Sequence, residues 1–267
     1  MPDNGSVSTD PPPDPAVVAT LRAAGCVFAE EEAALMLRDS PARSVLDGRV
    51  RRRVDGEPLE YVLGWAEFCG HRVMVVPGVF VPRRRTEFLV ESAVAVLEDS
   101  PAPLVVDLCC GTGAIGLALG LSRPDAQVNG ADIDPVAVAC AATNLAAVRG
   151  TAYLSDLFDG LPTELRGRTD LIVANAPYVP TDAIPLMPAE ARLHEHRVAL
   201  DGGSDGLALH RRIAAQAADW LRPGGHLVIE TSAEQADRTA AAMRDGGLHV
   251  TTQQDDERDA TVVIGRR

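Results

Sequence analysis

The chain reads as an α/β protein: an open, mostly parallel sheet ended by an antiparallel strand pair, with a smaller helical region in front of it. Three observations predict this. From Leu104 onward short apolar runs alternate with helical stretches, the pattern of repeated βαβ units. The last two apolar runs are separated by little more than residues 255–259, too few for a crossover helix, so they pair antiparallel. Upstream of about residue 82 the apolar spacing is helical, and then turns strand-like.

In chain order, residues 1–13 carry Asp, Ser and Pro without a basic residue or an apolar segment, so they are expected to be a disordered lead-in and not a signal peptide. Residues 14–81 are expected to form a helical domain plus a hairpin. Val17, Val18 and Leu21 mark a first helix, Ala33, Ala34 and Leu37 a second, and Leu46, Val50 and Val54 a third, with Gly25 and Ser40-Pro41 as breaks. Val73, Val75 and the residues near Phe68 predict a hairpin turning at Cys69-Gly70. Pro82 ends that strand, and Thr86 is placed to cap a helix through Val90, Val94 and Leu97. Residues 82–267 form the main domain. Its strands are expected at 104–108, 128–132, 152–154, 170–174, 226–230, 248–252 and 261–264, and its helices at 114–121, 135–148, 207–221 and 233–244.

Composition narrows the classes. Of 267 residues, 46% are hydrophobic, enough for a full core, and no apolar run is long enough to cross a bilayer. Five cysteines, odd in number and without C-x-x-C spacing, indicate neither a disulfide framework nor a zinc site, and point to a reducing, cytoplasmic compartment. No metal site is expected; His194 and His196 lie two apart in a loop without further ligands. A net charge of −13 argues against broad binding to nucleic acid. Arg49, Arg51, Arg52 and Arg53, and again Arg83, Arg84 and Arg85, are either local basic patches or solvated faces.

Four expected strand ends carry residues suited to chemistry. Asp107-Leu108-Cys109-Cys110-Gly111-Thr112-Gly113 closes the first strand and opens a helix; its glycines permit a tight turn and close approach of a ligand. With Gly116 the string also satisfies G-x-G-x-x-G, so a nicotinamide dinucleotide has to be weighed, but Asp107 would repel a pyrophosphate and suits an ammonium group. Asp132, at the next strand end, is spaced to reach the ribose hydroxyls of an adenosine cofactor, while Asp134 caps the helix begun by Pro135. Asp156 follows the third strand, where a carboxylate accepts from an adenine amino group. Asn175-Ala176-Pro177-Tyr178 follows the fourth. Alone it reads as a turn; at a strand lip it offers one carboxamide and one backbone carbonyl to an –NH₂ group.

The ordered set resembles the HemK-type protein-(glutamine-N5) methyltransferases, which methylate the glutamine of the Gly-Gly-Gln motif in peptide chain release factors. The likeness extends to Glu57-Pro58-Leu59-Glu60-Tyr61-Val62-Leu63-Gly64, to Val81-Pro82-Arg83-Arg84-Arg85-Thr86-Glu87, to Glu195–Gly203 with Asp205-Gly206-Leu207, and to Arg222-Pro223-Gly224-Gly225. The chain departs from the family at Ala176, where a second Pro is usual, at Cys109, where Gly is common, and at His196, where Pro is common. Its helical region is also shorter than the family's recognition domain.

The resemblance implies a class I S-adenosylmethionine-dependent methyltransferase fold, a Rossmann-like seven-stranded sheet, with the helices of residues 14–81 recognising the substrate. S-adenosyl-L-methionine would be held by Asp107, Cys109, Gly111, Thr112 and Gly113, by Asp132 and Ile133, by Asp156 and Leu157, and by Asn175, with Thr86 and Glu87 near its methionine end. Asn175, Ala176, Pro177 and Tyr178 would form the catalytic clamp on a glutamine of a protein partner. The alternatives are N-methylation of another protein, of a specialised-pathway substrate, or of an exocyclic amine of adenine in nucleic acid, whose methyltransferases share the tetrapeptide type; an NAD-dependent oxidoreductase or a non-catalytic cofactor-binding protein ranks behind them.

Overall fold

A computed structural model describes residues 13–40 and 42–267; the expected lead-in, apart from Pro13, and Pro41 lie outside the described residues. Two compact units divide between Gly64 and Trp65.

The first unit is helical. α1 (Pro15–Ala23) begins at an Asp14 cap whose side chain accepts from the Ala16 amide at 2.9 Å, with Pro15 at the first helical position. α2 (Ala29–Arg38), α3 (Arg43–Val54) and a one-turn α4 (Leu59–Leu63) follow, the last absent from the sequence reading. Val17, Leu21, Ala33, Met36 and Leu46 are buried, but Val54 is exposed, so the expected α3 stripe is only partly core. The arginine-rich end of α3 is turned inward as much as outward. Arg53 pairs with Glu32 at 2.7 Å with both side chains largely buried, Arg52 pairs with Glu57 and donates to the Tyr61 carbonyl, and Arg49 donates to Ser40. Much of this charge is therefore spent on bracing the unit.

The second unit opens with the hairpin β1 (Trp65–Phe68) and β2 (His71–Met74), turning at Cys69 and Gly70, both in the left-handed region. The sequence reading groups the hairpin with the helices; it packs instead in the larger unit, because Phe68 and Val73 are core residues beside Leu89, Val90 and Ile115. α5 (Glu87–Val96) comes next. Thr86 does not cap it: its backbone is already helical and its side chain makes no cap bond.

The sheet has the strand order β5-β4-β3-β6-β7-β9-β8, where β3 is Leu104–Leu108, β4 Gln127–Asp132, β5 Thr151–Leu154, β6 Thr169–Ala174, β7 Leu221–Thr231, β8 His249–Asp255 and β9 Ala260–Arg266. β3 to β7 are mutually parallel; β9 inserts antiparallel between β7 and β8, as the short 255–259 connection requires. Strand side chains alternate between two cores. Val105, Leu171 and Val173 meet α5, α6 (Ala114–Ser122) and α7 (Pro135–Leu145) on one face, and Val106, Ile172 and Ala174 meet α9 (Ala208–Trp220) and α10 (Ala236–Asp245) on the other. A short α8 (Ala189–His194) and flanking 3-10 turns, also unforeseen, lie between β6 and α9.

Chain order turns from one side of β3 to the other after β5, so β3 and β6, adjacent in the sheet, form the topological switch point. Their last residues, Leu108 and Ala174, are paired in register. A crevice opens at such a point, beyond the carboxyl ends of the strands. No helix among the described residues is long and apolar enough to cross a membrane.

Candidate active site

The crevice holds a cavity of about 740 Å³, within the usual range for a small-molecule site. Cys109, Gly111, Thr112, Asp132, Ile133, Asp156, Leu157, Thr86, and all four residues of Asn175–Tyr178 line it.

On one side the loop after β3 turns back through the Gly113 amide to the Cys110 carbonyl at 2.7 Å. Gly111 sits at φ 53°, lines the cavity, and leaves room for a Cβ with only the Phe80 Cβ near it, at 4.0 Å. Cys109, at φ 54°, adopts a conformation that favours glycine, at a position where the family commonly has one. Asp132 ends β4, and its two oxygens accept from the Gly111 and Asp134 amides, both at 2.9 Å. Burial pushes its carboxyl pKa up. Asp134 caps α7 as expected, accepting from the Val136 amide at 2.8 Å, and its other oxygen meets His196 Nδ1 at 2.6 Å. Asp156 accepts from Arg212 at 2.9 Å, a cation that sequence reasoning did not connect to the site.

Three expected cofactor contacts are not in the lining. Asp107 is fully buried beneath the loop, where Oδ2 accepts the Gly116 amide at 3.0 Å and Oδ1 has no hydrogen-bond partner among the described residues. Burial pushes its pKa up to about 7. Gly113 faces α7: a Cβ there would sit 3.1 Å from Ala141. Glu87 points toward the hairpin and accepts the Cys69 amide at 2.9 Å. All three serve the walls of the crevice.

On the other side, Asn175–Tyr178 is not a turn. It runs on past β6 without a turn or bend until Val179 bridges Asp201. The Asn175 Nδ2 donates to Thr86 Oγ1 at 3.2 Å, which leaves Oδ1 as the free acceptor of the carboxamide. The Tyr178 hydroxyl donates to Glu230 Oε1 at 3.2 Å, and Arg85 lies 3.4 Å from the same oxygen. Glu230 is buried, and its Oε2 has no hydrogen-bond partner among the described residues. Burial pushes its pKa up, while the Thr86 hydroxyl, Arg85 and Tyr178 favour its charged form. The segment is braced from behind by the Gly-rich loop. A Cβ on Gly202 would lie 2.7 Å from the Pro177 carbonyl oxygen, one on Gly206 2.3 Å from that of Tyr178, and Gln235 donates to the Tyr178 carbonyl at 3.0 Å. His210, fully buried behind the clamp, pairs with Thr239 at 3.0 Å, and burial lowers its pKa to about 4. Glu230 was the most legible of the unassigned residues: an acid ending an apolar strand.

The donor pattern discriminates between cofactors. The Gly111 amide, which a pyrophosphate would need, is taken by the Asp132 carboxylate, and that carboxylate lines the cavity. Such a site suits a cation-bearing adenosine better than a dinucleotide.

The methyltransferase small domain family matches residues 71–203. A release factor glutamine methyltransferase of Geobacter sulfurreducens is 41% identical over 223 residues, 82% of this chain and 76% of that protein. The chain belongs to the release factor glutamine methyltransferase family. A 4-amino-L-phenylalanine/4-methylamino-L-phenylalanine methyltransferase of Streptomyces pristinaespiralis is also similar, 38% identical over 203 residues, 74% of this chain and 69% of that one. Among solved structures, the T. thermophilus 16S rRNA N2 G1207 methyltransferase in complex with AdoMet and guanosine matches with a TM-score of 0.56 at 23% identity, over 76% of this chain and 49% of that one, a likeness of fold. The fold is that of a class I methyltransferase, and the cofactor is S-adenosylmethionine.

Proposed function

We propose that this protein methylates the side-chain amide nitrogen of a glutamine in a protein, the Gly-Gly-Gln glutamine of a peptide chain release factor. The observation that carries the reading is the clamp: Asn175, whose Nδ2 donates to Thr86 at 3.2 Å and so leaves Oδ1 as an acceptor, lines the cavity together with Ala176. Two acceptors at a strand lip match the two hydrogens of an –NH₂ group and turn its lone pair outward. Ala176 keeps the carbonyl that a proline would offer, so the departure from the usual Pro leaves the contact available.

S-adenosylmethionine supplies an electrophilic methyl group on a sulfonium. Asp132 would hold the ribose, Asp156 the adenine amino group, and Gly111 would let the backbone approach closely. Catalysis is then positioning and preorganised hydrogen bonding. Tyr178 is no general base: burial and Glu230 raise its pKa, and its hydroxyl donates to that carboxylate. The proton lost after transfer goes to water. The helices of the first unit are assigned to recognition of the protein substrate, and the cytoplasm is the matching location.

A second reading is methylation of an aromatic amine on a free amino acid, supported by the Streptomyces relative and by a clamp that grips any –NH₂ group. Adenine amines in nucleic acid fit less well with a net charge of −13 and with Arg83 and Arg85 at the cavity already paired to Glu195 and Glu230. Mass spectrometry of the host's release-factor Gly-Gly-Gln peptide, with and without this protein, tests the proposal. One added methyl group that depends on the protein is expected. An unchanged peptide, with labelled methyl entering 4-amino-L-phenylalanine or nucleic acid instead, overturns it.

A further inference from the structure

Arg212 is a cation in a cavity wall that also carries Asp132, Asp134 and Asp156. Its Nη2 donates to Asp156 Oδ2 at 2.9 Å, across 56 positions of chain. Both side chains are about half exposed, at 45% and 43%.

The backbone around Asp156 is held without Arg212. Ser155 Oγ donates to the Leu157 carbonyl at 2.7 Å and accepts the Gly160 amide at 2.8 Å, and the Asp159 amide donates to the Asp156 carbonyl at 3.2 Å. The Asp156 side chain has no such support. Among the described residues, its carboxylate makes only the hydrogen bond to Arg212. A carboxylate turns about a broad torsion, and at a half-exposed position water satisfies either oxygen in many orientations. One charge-assisted bond restricts that freedom: Oδ2 is committed to the guanidinium, and Oδ1 keeps its capacity to accept.

The helix that carries Arg212 sets where the guanidinium stands. Ala208, Leu209 and Arg212, at i, i+1 and i+4 of α9, line the cavity, while Ile213, Ala214 and Ala217 are buried in the core against the sheet. The start of α9 is held by the Gly202 carbonyl, which accepts the Ala208 amide at 3.0 Å. Asp156 is thus gripped from a helix packed on the sheet and not from its own loop. A fixed carboxylate oxygen can choose between bases. It accepts from the amino group of a 6-amino purine and repels the carbonyl oxygen of a 6-oxo purine.

We propose that Arg212 is a positioning residue for cofactor recognition, holding the Asp156 carboxylate so that its second oxygen selects a 6-amino purine over a 6-oxo purine. Arg212 acts through Asp156, and the assignment rests on the reading that Asp156 takes the adenine amino group.

The test is equilibrium binding by calorimetry, with no methyl acceptor present. The ligands are S-adenosylhomocysteine, the product of transfer, and S-inosylhomocysteine, with an oxo group in place of the amino group at the purine 6-position. The proteins are the full chain as wild type, Arg212→Met, Arg212→Lys and Asp156→Asn, with thermal melts to confirm that each is folded. Wild type should prefer the adenosyl ligand by about 10–100-fold, the worth of one hydrogen bond to a charged group. Arg212→Met keeps the stem and removes the donors, and should cut that ratio about 3–5-fold, the scale of a half-exposed ion pair. Arg212→Lys should restore part of it, since an ammonium replaces the fork with a point charge. Asp156→Asn should abolish the preference, because a carboxamide can turn its –NH₂ toward an oxo group. If Asp156→Asn abolishes the ratio and Arg212→Met leaves it unchanged, the role of Arg212 is overturned and the reading of Asp156 stands. If wild type shows no preference, or the preference survives Asp156→Asn, the reading of Asp156 falls and takes the proposal with it.

Discussion

The two sides of the crevice are built from different kinds of information. On the proposed cofactor side Cys109, Gly111, Thr112, Asp132 and Asp156 lie at or just past the ends of β3, β4 and β5; Asp132 takes amides two and twenty-one positions away, and the longer reach is that of Arg212 to Asp156, 56 positions apart. On the acceptor side Asn175 is held by Thr86, 89 positions distant, Tyr178 by Glu230 and Gln235, 52 and 57 positions distant, and the segment has no turn of its own. The proposed cofactor side is therefore carried mainly by consecutive strand ends, whereas the clamp needs β7, the Gly202–Gly206 loop and the residues before α5 together.

This contrast separates the expected effects of substitution. The largest is at the clamp. Asn175→Ala should lower kcat by about 10²–10³-fold while leaving S-adenosylmethionine binding nearly intact, measured by single-turnover transfer and calorimetry. Equal loss of both would mean that the two sides are not separable. Next is the cofactor side: Asp132→Ala should weaken S-adenosylmethionine by about 10–100-fold, the worth of charge-assisted hydrogen bonds, with kcat at saturation much less affected. Gly206→Ala touches neither ligand, but it forces a Cβ to 2.3 Å from the Tyr178 carbonyl oxygen at a φ of 74°. It should cost about 1–3 kcal/mol in chemical denaturation, and the surviving folded protein should lose transfer and keep cofactor affinity.

The smallest effect is a pH dependence. Asp107 has its pKa pushed from 3.8 up to about 7 by burial, so the folded chain holds a proton that the unfolded chain has released. Its contribution to stability is full below about pH 4 and declines as pH rises through 7. Asp107→Asn keeps the acceptor for the Gly116 amide and removes the titration, so thermal melts of the cofactor-free variant should decline less between pH 5 and 8 than those of wild type. Parallel profiles would show that Asp107 is already ionised in the fold.

Legibility followed the same divide. The order of strands and helices, the antiparallel end of the sheet, the Cys69-Gly70 hairpin turn and the Asp134-Pro135 cap were readable because each depends on neighbours a few positions away. Thr86 misled for the opposite reason. A threonine before a helix is an N-cap by local rules, but a side chain across the crevice offered its hydroxyl other partners. The depth of Asp107 was not legible either, since position at a strand end does not reveal burial, and the structure buries it fully and leaves it out of the cavity lining.

By itself, then, the sequence determined the sheet, the place of the crevice and the residue types along its rim, because periodicity, turn chemistry and strand-end spacing are local properties of the chain. Which rim residues face the cavity, and which way the Asn175 carboxamide points, was decided only by the tertiary structure. Burial and donor direction are properties of three-dimensional neighbours, and the neighbours that matter here come from β7, α5 and a glycine loop far apart in the chain.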